Sequence, residues 1–105
     1  MTLKEVLKEP KNTWYIKIHI NYKFWIFGCR RANMKDSDHY NMIYGFEDLY
    51  VDYTRFDRSY LGNPTFNIYV TSEELEKRCL LLENIWYDTN KKYLKKGVLS
   101  YDYEI

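Results

Sequence analysis

Alanine is nearly missing from this chain of 105 residues, with Ala32 the single example, and cysteine, proline and glycine number only two, two and four. Each scarcity excludes something. Cys29 and Cys79 stand far apart and form no CxxC pair, which argues against a disulfide framework or a zinc knuckle and fits a reducing compartment. The four glycines never approach a phosphate-cradling pattern. No segment nears the roughly 20 apolar residues that a membrane helix needs, and the opening MTLKEVLKEP lacks the apolar centre of a secretory leader. The expectation is a soluble, cytoplasmic protein with no membrane association. Internal repeats, low-complexity tracts and Gly/Ser linkers are also missing, so residues 1–105 read as one domain.

What is present is ordinary in bulk and unusual in detail. Hydrophobic residues make up 46% and charged residues 30%, enough apolar surface to fold without metal or disulfide staples. Aromatic residues reach 19%, and twelve of them are tyrosines, more than a core of this size needs. Tyrosine joins a broad apolar ring to one hydroxyl, which suits a wet core edge or a binding surface. An AT-rich coding sequence explains such a composition but not its placement. The net charge of +1 gives no bulk attraction to nucleic acid or acidic lipid. Its distribution is uneven: residues 1–35 carry eight Lys/Arg against two Glu, residues 36–88 four against eleven acids, and residues 89–105 four against two.

Along the chain, Thr2 and Glu5 have the spacing of a capping box ahead of Leu3, Val6 and Leu7, and Pro10 closes that short helix. Trp14, Ile16, Ile18 and Ile20 alternate with Tyr15, Lys17 and His19, the pattern of a half-buried strand. Phe24 to Phe27 is apolar on both faces and reads as a central strand, or as one whose second face a helix covers, paired with the first as a hairpin. Arg30 to Asp38 reads as a loop, residues 39–46 and 48–54 as two strands, the second alternatively an irregular edge, Asp57 to Pro64 as a loop, and Phe66, Ile68 and Val70 as another strand. Thr71 and Glu74 suggest a second capping box. It opens a long helix over about residues 72–96 with a stripe of Leu75, Cys79, Leu82, Trp86 and Tyr93, capped by Gly97. Leu99 to Ile105 alternates as a final strand. The fold class expected is α+β: a single domain with an antiparallel sheet of five to six strands, one long C-terminal helix packed on one face and a short N-terminal helix.

Chemistry-bearing constellations are few. Asp36, Asp38 and His39 cluster in sequence, but His19 is the only other histidine and a metal demands more ligands, so no metal or cofactor is assigned. Ser59, Ser72 and Ser100 lack a nucleophile-elbow setting, neither cysteine has a catalytic signature, and Cys79 falls on an apolar helix stripe. The chain is therefore read as no enzyme. Two charged regions remain. Lys17, Lys23, Arg30, Arg31 and Lys35 lie near Trp25 and Phe27, a pattern that phosphate contacts and base stacking would use. Glu47, Asp48, Tyr50, Asp52 and Asp57 form an acidic, tyrosine-bearing segment. If Leu49, Val51 and Tyr53 point inward, its carboxylates point out, towards an Arg/Lys-rich groove.

The preferred expectation is a small non-enzymatic inhibitor that binds a protein partner with a basic, nucleic-acid-binding surface through that acidic, tyrosine-rich face. A compact chain without catalytic residues resembles, at the level of class alone, the products by which phages and mobile elements block host defence nucleases, such as anti-CRISPR proteins. Two other readings stand beside it. One is a nucleic-acid-binding accessory or regulatory protein using the basic N-terminal third, and the other is an immunity protein that neutralises a toxin.

Overall fold

The alternation from Tyr15 onward produces β1 (Tyr15–Ile20), which a left-handed turn at Asn21 and Tyr22 joins to β2 (Phe24–Arg30) as an antiparallel hairpin. A second hairpin follows, β3 (Tyr53–Tyr60) and β4 (Asn63–Val70), turning at Leu61 and Gly62. The computed structural model describes residues 1–37 and 39–90, with side chains in the C-terminal helix described through Glu83. Within these residues β1 pairs in parallel with β4, Ile18 opposite Ile68, which fuses the hairpins into one sheet of order β2-β1-β4-β3.

One face of this sheet carries Ile16, Ile18, Ile20, Ile26, Phe66, Ile68 and Val70, all buried. Four helical pieces cover it. They are α1 (Leu3–Val6), a 3-10 helix (Arg31–Asp36), α2 (Tyr40–Ile43) and α3 (Glu73–Asn90), which bring Leu3, Val6, Met34, Met42, Ile43, Leu75 and Cys79 into the same core. Burying a Leu or Ile side chain stabilises by about 1.5–3 kcal/mol, so this single apolar layer holds the domain together.

The antiparallel sheet of five to six strands is thus corrected to a mixed sheet of four among the described residues. Residues 40–43 are helical because Met42 and Ile43 are both buried; a helix can turn adjacent side chains towards one core, whereas a strand sends them to opposite faces. Residues 47 and 48 form a turn closed by Leu49 N–H donating to Phe46 O, and the chain from there to Val51 runs beside the N-terminus: Lys4 N–H donates to Glu47 O, Leu3 N–H to Leu49 O and Val51 N–H to Met1 O. The long helix over 72–96 is corrected too. It is helical over Glu73–Asn90, its described side chains span only the eleven residues 73–83, and residues 91–96, with Tyr93, Gly97 and the expected strand at 99–105, lie outside the described residues.

Smaller expectations shift for local reasons. The capping box at Thr2 and Glu5 forms in both directions. At α3 the cap is Ser72, whose Oγ accepts from Leu75 N–H, while the Thr71 hydroxyl donates to Asp52. Arg31–Asp36 is a 3-10 helix instead of a loop, and residues 57–64 are mostly hairpin. Among the described residues β2 is an edge strand, not a central one. Its register shifts where Phe27 (φ +82°) and Gly28 (φ +66°) form a bulge, Phe27 joins the core, and its N–H donates to His39 Nδ1. Glycine is required at 28, since a Cβ there would sit 2.6 Å from the Trp25 ring.

Candidate functional site

The stretch 47–52 is held on both sides, by the N-terminal segment through the three bonds above and at its end by Asp52 N–H donating to Tyr69 O. Thr2 and Tyr50 form a single antiparallel bridge. Alternation then does what it would in a strand. Leu49 and Val51 pack against the core, Tyr50 and Asp52 project outward, and Asp48, in the turn just before them, is exposed as well. Tyr50 is 73% exposed although its backbone is fixed. Of the five acidic-face residues expected from the sequence, these three are exposed. The Glu47 carboxylate instead accepts from Gly45 N–H. Asp57 lies on β3, where it accepts from Ser59 N–H and Asn67 Nδ2 and pairs with Arg55 at 3.1 Å. Burial would raise the Asp57 carboxyl, but the hydrogen bonds from Ser59 and Asn67 and the Arg55 charge outweigh it and hold it below the usual carboxylate range.

The basic set is dispersed. Lys17 is buried on the sheet face opposite the core, its ammonium 4.4 Å from the Trp25 ring centre. Lys23 pairs with Glu76 at 2.9 Å, and Arg30 lies over Tyr15 at the end of β2. Only Arg31 and Lys35 come together, in a cleft of about 490 Å³ that Lys4 and Lys8 also line, with Leu7 and Met34 among its apolar residues. Arg31 is oriented there by donating from Nε to Leu7 O. Glu47 and Asp48 line the same cleft, so the acidic and basic blocks of the sequence interleave in space.

The second sheet face, which the sequence reading did not single out, is a polar and aromatic layer. His19 Nε2 hydrogen-bonds Asn67 Oδ1 at 2.9 Å, and both side chains are buried. The Tyr69 ring stacks between His19 and Tyr53, with centroids 4.3 Å from each and planes within 10°. Arg55 adds a cation 5.9 Å from the same ring. Tyr22 borders this layer, and its hydroxyl is pushed up to about 12, first by its hydrogen bond with Tyr53 and then by desolvation. The signal was available as the polar half of the alternation in β1 and β4, but only the parallel register, with His19 opposite Tyr69, brings these groups together.

Neither histidine joins the Asp36–His39 segment into a ligand cluster. His39 serves the β2 bulge, His19 faces Asn67, and Asp38 lies outside the described residues. No three His, Cys, Asp or Glu residues converge on a metal-sized site among the described residues. Burial pushes the Cys79 thiol up to about 12, which suits a small core residue rather than a nucleophile. No helix among the described residues is long and apolar enough to cross a membrane. Comparison with protein-family models, curated proteins and solved structures gave no match to this chain.

Proposed function

We propose that this chain is a non-enzymatic, cytoplasmic binding protein that engages a protein partner through the outward side chains of Asp48, Tyr50 and Asp52. The observation that carries this reading is the presentation of Tyr50. Its ring is exposed to solvent while its backbone is anchored to the N-terminal segment, and an acid stands two residues away on either side. A rigidly held tyrosine offers contact area at small entropic cost, and flanking carboxylates select a basic surface. A protein of this kind acts as an inhibitor by covering a basic groove that would otherwise hold nucleic acid. Phage or mobile-element origin belongs to the same proposal and rests on the class analogy alone.

The test is photo-crosslinking in lysate of the source cells from a benzophenone amino acid placed at Tyr50, with the same probe at Leu81, exposed on α3, as the control. The expected result is a partner captured from position 50 and not from 81. Its capture falls with salt and is lost in Asp48→Lys/Asp52→Lys, while the fold is unchanged. Equal crosslinking from both positions, or capture indifferent to charge reversal, overturns the reading.

A second reading rests on the cleft with Lys4, Lys8, Arg31 and Lys35 around an apolar floor, where four cations face two carboxylates. It would bind a nucleic-acid backbone there. A gel shift that Lys4→Glu/Lys35→Glu abolishes, with Asp52→Lys, outside the cleft, having no effect on function, would favour it over the first.

A further inference from the structure

We propose that two copies of this chain pair edge to edge through β3, antiparallel, in the register that sets Phe56 opposite the partner's Phe56. This goes beyond the binding function above, since Asp48, Tyr50 and Asp52 lie outside β3. β3 is the last strand of the sheet and has no outer neighbour among the described residues. Thr54, Arg55, Phe56 and Arg58 are all exposed on it. The backbone N–H and C=O groups that point away from β4 are a template for another strand. The opposite edge is protected differently. β2 is broken by the bulge at Phe27 and Gly28, whereas β3 holds a continuous register with β4 from Tyr53 to Asp57.

The side chains of β3 then select the occupant. Arg55 and Asp57 lie on one face, two residues apart and already in contact. An antiparallel copy that keeps both sheet faces aligned can centre only on a residue, because a half-step slip would put the apolar face of one copy beside the polar face of the other. Centring on 55 places Arg55 against the partner's Arg55, and centring on 57 places Asp57 against the partner's Asp57. Centring on 56 places Arg55 against the partner's Asp57 and Asp57 against the partner's Arg55, a ring of four alternating charges. On the other face the two Phe56 rings meet at the axis. Each is 50% exposed in the single chain and already lies 4.7 Å from Trp14, so pairing would extend the apolar layer across the junction. A strand edge complementary to itself in one register, and opposed by like charges in the two adjacent ones, fits a second copy of this chain better than a foreign strand.

Sedimentation equilibrium on the purified chain, from low to high micromolar concentration, is the test. The wild type should associate to a dimer, and raising salt should weaken it. Arg55→Asp sets like charges together twice and should weaken association roughly tenfold or more. Asp57→Arg should do the same, and an equimolar mixture of these two variants should restore a dimer, because each then opposes the other with opposite charge. Phe56→Asp, with two carboxylates at the axis, should also be monomeric. Circular dichroism confirms the fold of each variant, and Arg55→Asp and Phe56→Asp carry the test if Asp57→Arg does not fold. A wild type that stays monomeric, or a dimer indifferent to Arg55→Asp, overturns the proposal.

Discussion

Asn21 and Ser72 are hydrogen-bonded twice: Ser72 N–H donates to Asn21 Oδ1 at 2.8 Å, and Asn21 Nδ2 donates to Ser72 O at 3.1 Å. The same Nδ2 donates to Glu76 Oε1 at 2.7 Å. One turn residue between β1 and β2 thereby fixes where α3 begins, 51 positions away. Asn21 also takes a left-handed conformation, φ +52°, which asparagine tolerates better than most residues.

Asn21→Ala should therefore destabilise the domain by about 2 kcal/mol, combining the loss of part-buried hydrogen bonds with the cost of alanine at positive φ. Asn21→Asp keeps one acceptor but loses the donor and faces Glu76 with a like charge, so it should recover little. Urea unfolding of the three proteins checks this, and a change below half a unit on the same scale (about 0.5 kcal/mol) would show that the contact does not hold α3.

Acid should weaken the fold through a small set of carboxylates. Glu76 is held below its usual range by hydrogen bonds from Asn21 and then Lys23, Glu5 by its reciprocal bonds with Thr2, and Asp57 by its neighbours on β3. A carboxyl depressed in the folded state releases its proton more readily there than in the unfolded chain. Its contribution is complete above the unfolded value, near pH 4 to 5, and is lost as pH falls through the lower folded value. Stability should be flat from about pH 5 upward on this account and decline below about pH 4. Glu76→Gln should make that decline shallower, as chemical denaturation at a series of pH values would show.

The two thiols should separate cleanly. Cys79 is fully buried, whereas Cys29 is half-buried and raised less far by desolvation. With a disulfide reagent at neutral pH, Cys29 should react first and Cys79 only as α3 opens, so denaturant should accelerate the second phase far more than the first. Equal rates in native buffer would show that α3 does not seal the core.

Period-two alternation made β1 and β4 legible, and the Thr2–Glu5 spacing marked the first helix, because those signals depend only on near neighbours. The residues 40–46 misled for the opposite reason. Tyr40, Met42, Tyr44 and Phe46 alternate, yet the adjacent pair Met42 and Ile43 is what meets the core beneath α3. Position in the sheet was not written locally either. Phe24 to Phe27 looks central because it is apolar on both sides, but the second side is Trp25 packed under Lys17 and Tyr60, with the indole N–H buried and unpaired among the described residues. Tyr50 and Asp52 were legible for the right period and the wrong partner, since Tyr50 bridges to Thr2 of the N-terminus, whereas Asp48 is exposed by a turn that the alternation did not show.

The parallel contact of β1 with β4 also sets the order in which this chain can assemble. Each hairpin closes over a few residues, but Tyr15 meets Thr65 only after some fifty intervening residues have been gathered. Hairpins form within microseconds, whereas contacts so distant in sequence carry a larger entropy of closure and slow the reaction. The two hairpins are thus local halves, and the step expected from topology to be slow is their zipping along Ile16, Ile18 and Ile20 against Phe66, Ile68 and Val70. Until that seam closes, one half exposes Ile16, Ile18 and Ile20 and the other Phe66, Ile68 and Val70, the kind of apolar surface through which partly folded chains aggregate.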